Sequence, residues 1–171
     1  MMTRIVFTAS KSLFGELIRW ATNGRVSHVF IQYPDPLWGG EWAAEATVGG
    51  VRMVPAEKSR HNIIAEYECL FDVAPALQAI RSHIGDRYDY RTLLYIGWAV
   101  LMWRLFRKKV RRPFKNTDEE FCSEFVSLFL TAAEQLKLIP LLEGMWANPE
   151  QNDPERLLDV LEGCPGSFRK V

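Results

Sequence analysis

Thr117-Asp118-Glu119-Glu120-Phe121-Cys122-Ser123-Glu124-Phe125-Val126 is the stretch on which the reading of this chain turns. Thr-Asp-Glu-Glu fits a capping box, and Phe121, Phe125, Leu128, Phe129, Ala132, Ala133 and Leu136 follow at the spacings of one helix face. The pattern predicts a strong amphipathic helix with Cys122 in its first turns. A thiol near a helix N-terminus feels the positive end of the dipole, which favours thiolate over thiol. Cys122 is therefore the first candidate nucleophile. Cys69 falls in an expected strand and Cys164 in a C-terminal Gly/Pro turn, where neither has an evident dipole or partner. A lone cysteine is as often an inert, buried small hydrophobe, so Cys122 needs a partner to count.

A thiol nucleophile requires a base that takes its proton and later protonates the leaving group, a role suited to imidazole. The chain has three histidines. His61 lies in the polar run Glu57-Lys58-Ser59-Arg60-His61 and His83 in a helical stretch before Gly85, so both read as surface residues. His28 lies among Val26, Val29, Phe30 and Ile31, in a segment from Val26 to Tyr33 that reads as a buried strand. Burying an imidazole costs solvation unless it has partners, so His28 is either a hydrogen-bonded core histidine or a site residue. Glu45, in Ala43-Ala44-Glu45-Ala46, is placed on the strand expected beside it and suits the carboxylate that orients such a base. The alternative is an ordinary half-exposed strand glutamate. Glu41 and Asp35 are rivals closer to turns.

Outward from these residues, Arg4 to Ala9 suits a strand, and Ser10 can cap a helix carrying Leu13, Leu17, Ile18 and Ala21 until Asn23-Gly24 stops it. Pro34, Asp35 and Pro36 turn the chain into an extended stretch from Glu41 to Thr47. Gly49-Gly50 then marks a tight turn before Val51-Arg52-Met53-Val54, and Ile63 to Val73 forms a further strand. After Pro75 the spacing turns helical, and Asp153-Pro154 opens a last helix through Leu157, Leu158 and Leu161. The expected fold class is α+β, a small antiparallel sheet packed against helices, with residues 1–171 as a single domain. At 48% hydrophobic and 25% charged, 171 residues suffice for one sizeable core.

Lys+Arg and Asp+Glu both count 21, so no global field draws the chain to nucleic acid or an anionic membrane. Three cysteines at these spacings match neither a disulfide framework nor a CxxC site, and the scattered cysteines and histidines offer no metal-ligand pair. No cofactor and no metal are expected. The start MMTRIVFTASKSLF is too soon interrupted for a signal peptide, so a reducing cytoplasmic location is expected, with action on the envelope after release left open. Leu93 to Phe106 is interrupted by Arg104, short of the roughly 18 to 20 apolar residues that spanning needs. It reads as a buried helix, and the basic run from Arg107 to Arg112 as a solvated helix end, with a weak membrane-surface contact through 93–112 as the lesser reading.

The elements Ser27-His28-Val29, Glu45-Ala46 followed by Gly50-Val51, Gly85-Asp86-Arg87-Tyr88-Asp89-Tyr90 and Phe121-Cys122-Ser123-Glu124-Phe125-Val126 stand in an order, across positions 27 to 126, that resembles the circularly permuted NlpC/P60 family of papain-like cysteine amidases. The resemblance implies a papain-like fold in which histidine precedes cysteine. It also implies Cys122 as nucleophile, His28 as general base and acid, Glu45 as the group orienting His28, and Tyr88, with Tyr90 as alternate, beside the oxyanion. Ser123 and Glu124 belong to the motif in supporting roles. The activity implied is hydrolysis of an amide, in a peptide or peptidoglycan fragment, through a thioester acyl-enzyme. Thioesterase or acyltransferase action on an acyl-lipid is the alternative, because Trp98, Trp103 and Phe106 in the long segment before Cys122 could line a lipid pocket as readily as a core. A non-catalytic binding module on the same fold is the third reading.

Overall fold

Arg4-Ile5-Val6-Phe7-Thr8 alternates side chains that suit a pleated, two-sided position, and in the computed structural model it forms β1 (Arg4–Thr8). The structure describes residues 2–22, 24–35, 39–47, 49–88, 119–120, 122–140 and 154–171. After β1 come α1 (Leu13–Thr22), β2 (His28–Pro34), β3 (Glu41–Thr47), β4 (Gly50–Pro55) and a 3-10 turn (Ala56–Lys58). They are followed by β5 (Ile63–Cys69), α2 (Ala74–Ala79), a second 3-10 turn (Arg81–His83) and the short β6 (Arg87–Tyr88). The remaining elements are β7 (Glu119–Glu120), α3 (Cys122–Gln135), α4 (Pro154–Glu162) and β8 (Phe168–Lys170).

Six strands join in one antiparallel sheet of order β4-β3-β2-β1-β5-β8, and β6 and β7 pair in parallel beside it. The fold is thus mixed α+β, as expected. The sheet is larger than the small one expected, because β8 adds a strand to the β5 edge that three residues of sequence do not announce.

The pleat sorts the residues. Ile5, Phe7, Val29, Ile31, Ala44 and Tyr67 belong to the main core, which also takes Phe125, Phe129 and Leu130 from α3 and Leu157, Leu158 and Leu161 from α4. Each fully buried Phe or Leu contributes roughly 1.5–3 kcal/mol relative to exposure. Alternate residues Val6, Phe30 and Ala43 form a second, smaller cluster with Ala56, under the turn that follows β4. His28 and Phe30, two apart on β2, have ring centroids 6.0 Å apart, which sets His28 at the end of this second row.

Local chemistry corrects several boundaries. Ser12, not Ser10, caps α1, since Ser12 Oγ accepts the Gly15 N–H at 3.1 Å while Ser10 Oγ accepts the Ser12 N–H. β5 ends at Cys69 rather than Val73, because Leu70 N–H turns to the Ser167 carbonyl and Asp72 accepts the Ala74 N–H ahead of Pro75. Glu119 and Glu120 are not the first turn of a helix, because they pair with Arg87 and Tyr88, and α3 starts at Cys122 itself. Thr117 and Asp118, the start of the expected capping box, lie outside the described residues. So do Tyr90, residues 93–112 and the aromatic stripe within them. Among the described residues no helix is long and apolar enough to cross a membrane.

Candidate active site

At one end of the sheet β1 stops at Thr8, β2 starts at His28 opposite it, and β3 is finishing. His28 is the first residue of its strand rather than an interior one, so its ring stands at the sheet margin instead of within the packed layer. The register that pairs Ile31 with Ala44 sets Phe30 opposite Glu45 and makes His28 the diagonal neighbour of Glu45 on the same face. Arg52 on β4 is directly opposite Glu45. The pleat alone therefore gathers an imidazole, a carboxylate and a guanidinium.

Glu45 is only 3% exposed in its side chain, and each of its oxygens is occupied. Oε2 lies 3.0 Å from His28 Nε2, while Oε1 accepts Arg52 Nε at 3.0 Å and Nη2 at 2.8 Å. Burial would raise the pKa of this carboxyl, but the hydrogen bonds and charge of His28, together with the Arg52 hydrogen bond, outweigh it and hold it down at about 2. Glu45 is thus ionised, and an ionised carboxylate only accepts, so the Nε2 proton belongs to His28. That leaves Nδ1 for the other side.

The second hydrogen-bonding neighbour of the ring is Cys122. Burial would push the His28 pKa down, yet hydrogen bonding to Cys122 and to Glu45, with the charge on both, raises it to about 9. The residues that sequence brought forward as nucleophile, base and orienting carboxylate are therefore in one cluster. Cys122 is buried as the first residue of α3, so its peptide N–H is one of those left without an intrahelical acceptor at the N-terminus.

The other two thiols lie outside this cluster. Burial and the neighbouring charge of Glu68 push Cys69 up to about 12, and burial also raises Cys164. Both are buried and free, as inert core cysteines are. His83 is paired with Asp86 at 3.1 Å, outside the cluster. Tyr88 lies in β6, its backbone opposite Glu120 two residues ahead of Cys122. Ser123 is buried, and its carbonyl accepts the Ser127 hydroxyl at 2.8 Å.

Sequence reasoning missed Arg52. The signal was present, because a two-residue connection between Thr47 and Gly50 fixes the hairpin register and puts position 52 across from 45. Gly50 has φ +100°, and a Cβ there would meet the Asp86 carbonyl oxygen at 2.6 Å, so only glycine fits where this strand begins.

His28, Glu45 and Cys122 open onto a cleft of about 410 Å3. Its walls include residues from Ser10 to Ile18 and from Lys58 to Asn62, together with Arg52. The walls are tied together and to the floor: Ala9 N–H donates to the Asn62 carbonyl at 3.0 Å, and Ser10 N–H to Ser27 Oγ at 2.8 Å. Among the described residues no group of three His, Cys, Asp or Glu side chains could hold a metal ion. No protein-family model matches the chain, and no curated protein matches it significantly.

Proposed function

We propose that this chain is a cysteine hydrolase that cleaves an amide bond of a peptide or peptidoglycan-type substrate through a thioester acyl-enzyme. The observation that carries the reading is His28, held between the Glu45 carboxylate and the Cys122 thiol at the floor of an open cleft. Many proteins bury an ion pair or a cysteine. A half-buried imidazole shared by a carboxylate and a thiol at a helix start is the arrangement that thiol acyl transfer needs.

In the proposed sequence His28 takes the proton of Cys122 at Nδ1 while Glu45 holds Nε2–H, and the sulfur attacks the substrate carbonyl carbon. The oxyanion that forms faces the N–H of Cys122 and the positive end of α3. His28 then gives its proton to the leaving amine, leaving a thioester, and later takes a proton from the water that hydrolyses it. The fold that suits this chemistry is the circularly permuted papain-like domain of the NlpC/P60 type, with His28 ahead of Cys122 in the chain. The three free cysteines support a reducing, cytoplasmic setting.

The test is incubation of wild type and Cys122→Ser with a peptidoglycan fragment, an acyl-lipid panel and a small thioester. The expected result is amide cleavage that falls by about 10³-fold or more without the thiol. Cleavage that survives the substitution would overturn the reading, and thiol-dependent turnover confined to acyl lipids would replace the amidase with an acyltransferase or thioesterase.

A further inference from the structure

We infer that the cleft selects substrates bearing an anionic group near the scissile bond, with Lys11 and Lys58 as its specificity-determining residues. The inference rests on the thiol-imidazole reading of the floor and adds what the walls would bind.

The charge around the cleft is lopsided although the chain as a whole is neutral. Among the described residues that line it, Lys11, Arg52, Lys58, His28 and His61 are cationic or able to become so, and Glu45 is the one carboxylate. The charge of Glu45 is already engaged by His28 and Arg52, which bind its two oxygens. Lys11 and Lys58 both line the cleft and have no ion-pair partner among the described residues.

Solvated lysines on a convex surface bind nothing in particular. In a concave site, cations of one sign focus their field and attract a counter-charge. The walls that carry these two are also fixed. Arg19 Nη1 donates to the Ser10 carbonyl at 2.7 Å, Ser27 Oγ accepts the Ser10 N–H, and Asn62, at φ +50°, accepts the Ala9 N–H, so each lysine projects from an anchored backbone. A carboxylate or a phosphate on the substrate supplies the missing charge.

Iodoacetate and iodoacetamide test this without a known substrate, because both alkylate a thiol and differ mainly in charge. The readout is the ratio of their rates at Cys122, located by peptide mass and normalised to the same ratio at a free cysteine peptide. The expected ratio is above one in wild type and falls by about 3-fold in Lys11→Gln and in Lys58→Gln, and by about 10-fold in the double variant, with high salt acting in the same direction. Lys11→Arg and Lys58→Arg keep it. Succinate and inorganic phosphate, added as protectants against iodoacetamide, separate a carboxylate-binding site from a phosphate-binding one.

An unchanged ratio in the folded double variant, with iodoacetamide still labelling Cys122 faster than the peptide, overturns the inference and spares the thiol-imidazole reading. Protection by neither anion also overturns it. Wild-type labelling no faster than the peptide overturns that reading, and the inference with it.

Discussion

Two polar networks occupy the same face of the sheet. At one end His28, Glu45 and Arg52 meet Cys122 at the cleft. Farther along the same strands, Gln32 bridges Glu41 and Arg60, Arg60 Nη1 donating to Gln32 Oε1 at 2.6 Å, and Glu66 binds both Arg60 and Arg4. Both networks pair carboxylates with guanidinium groups over short distances. Only the first contains an imidazole, a nucleophile and an open space in front of them. The second closes on itself beside Phe30 and Ala43. Buried ion pairs are therefore scaffold by default, and a site is marked by a group that can exchange a proton next to an atom that can attack.

The largest expected effect sharpens that contrast. Glu45→Gln keeps shape and removes the charge that fixes the His28 tautomer, and it should lower thiol-dependent turnover by about 10²-fold. Glu66→Gln, the same change in the second network, should leave turnover within about 2-fold. Equal losses in the two variants would mean that the networks do not differ in role.

The titration of His28 separates them next. NMR should find its imidazole near pH 9 in wild type and markedly lower in Glu45→Gln and Cys122→Ala, where less opposes the effect of burial. Because the folded-state value is raised above 6.5, the His28 contribution to stability is complete below that pH and is lost as pH rises through about 9. The Glu45 contribution, from a value lowered to about 2, is present above 4.5 and lost as pH falls through about 2. Chemical denaturation across pH should accordingly show an alkaline decline that His28→Gln flattens. An identical slope in that variant would remove the linkage.

Smaller again is a backbone effect. Gly50→Ala, with φ +100° and the Asp86 carbonyl oxygen in the path of the new methyl group, should cost about 1–3 kcal/mol by denaturation. Gly166→Ala, where no atom stands within 4 Å of an added Cβ, should cost less than 1 kcal/mol. The reverse order would contradict the close approach of β4 to the segment before β6.

Much of the site was legible because its signals were local. Cys122 stood out by its place at a helix start, His28 by polarity within an apolar run, and Glu45 by lying on the next extended stretch. Arg52 was missed because its role comes from register across a hairpin, not from its own neighbours in sequence. The expected capping box failed for a related reason: Thr-Asp-Glu-Glu has the right local chemistry, yet pairing with Arg87 and Tyr88 holds the two glutamates extended. Ser10 was the expected cap of α1, but its N–H is bound by Ser27 Oγ across 17 residues of sequence, and Ser12 Oγ accepts the Gly15 N–H in its place. β8 owes its existence to the free edge of β5 rather than to three residues of propensity.

The most direct test of the central claim, that His28 and Cys122 share a proton, is the pH dependence of iodoacetamide alkylation at Cys122 in wild type and His28→Gln. Wild type should be alkylated faster than His28→Gln at neutral pH and should follow a different pH profile, because only wild type has an imidazole to take the thiol proton. Superimposable profiles would contradict it.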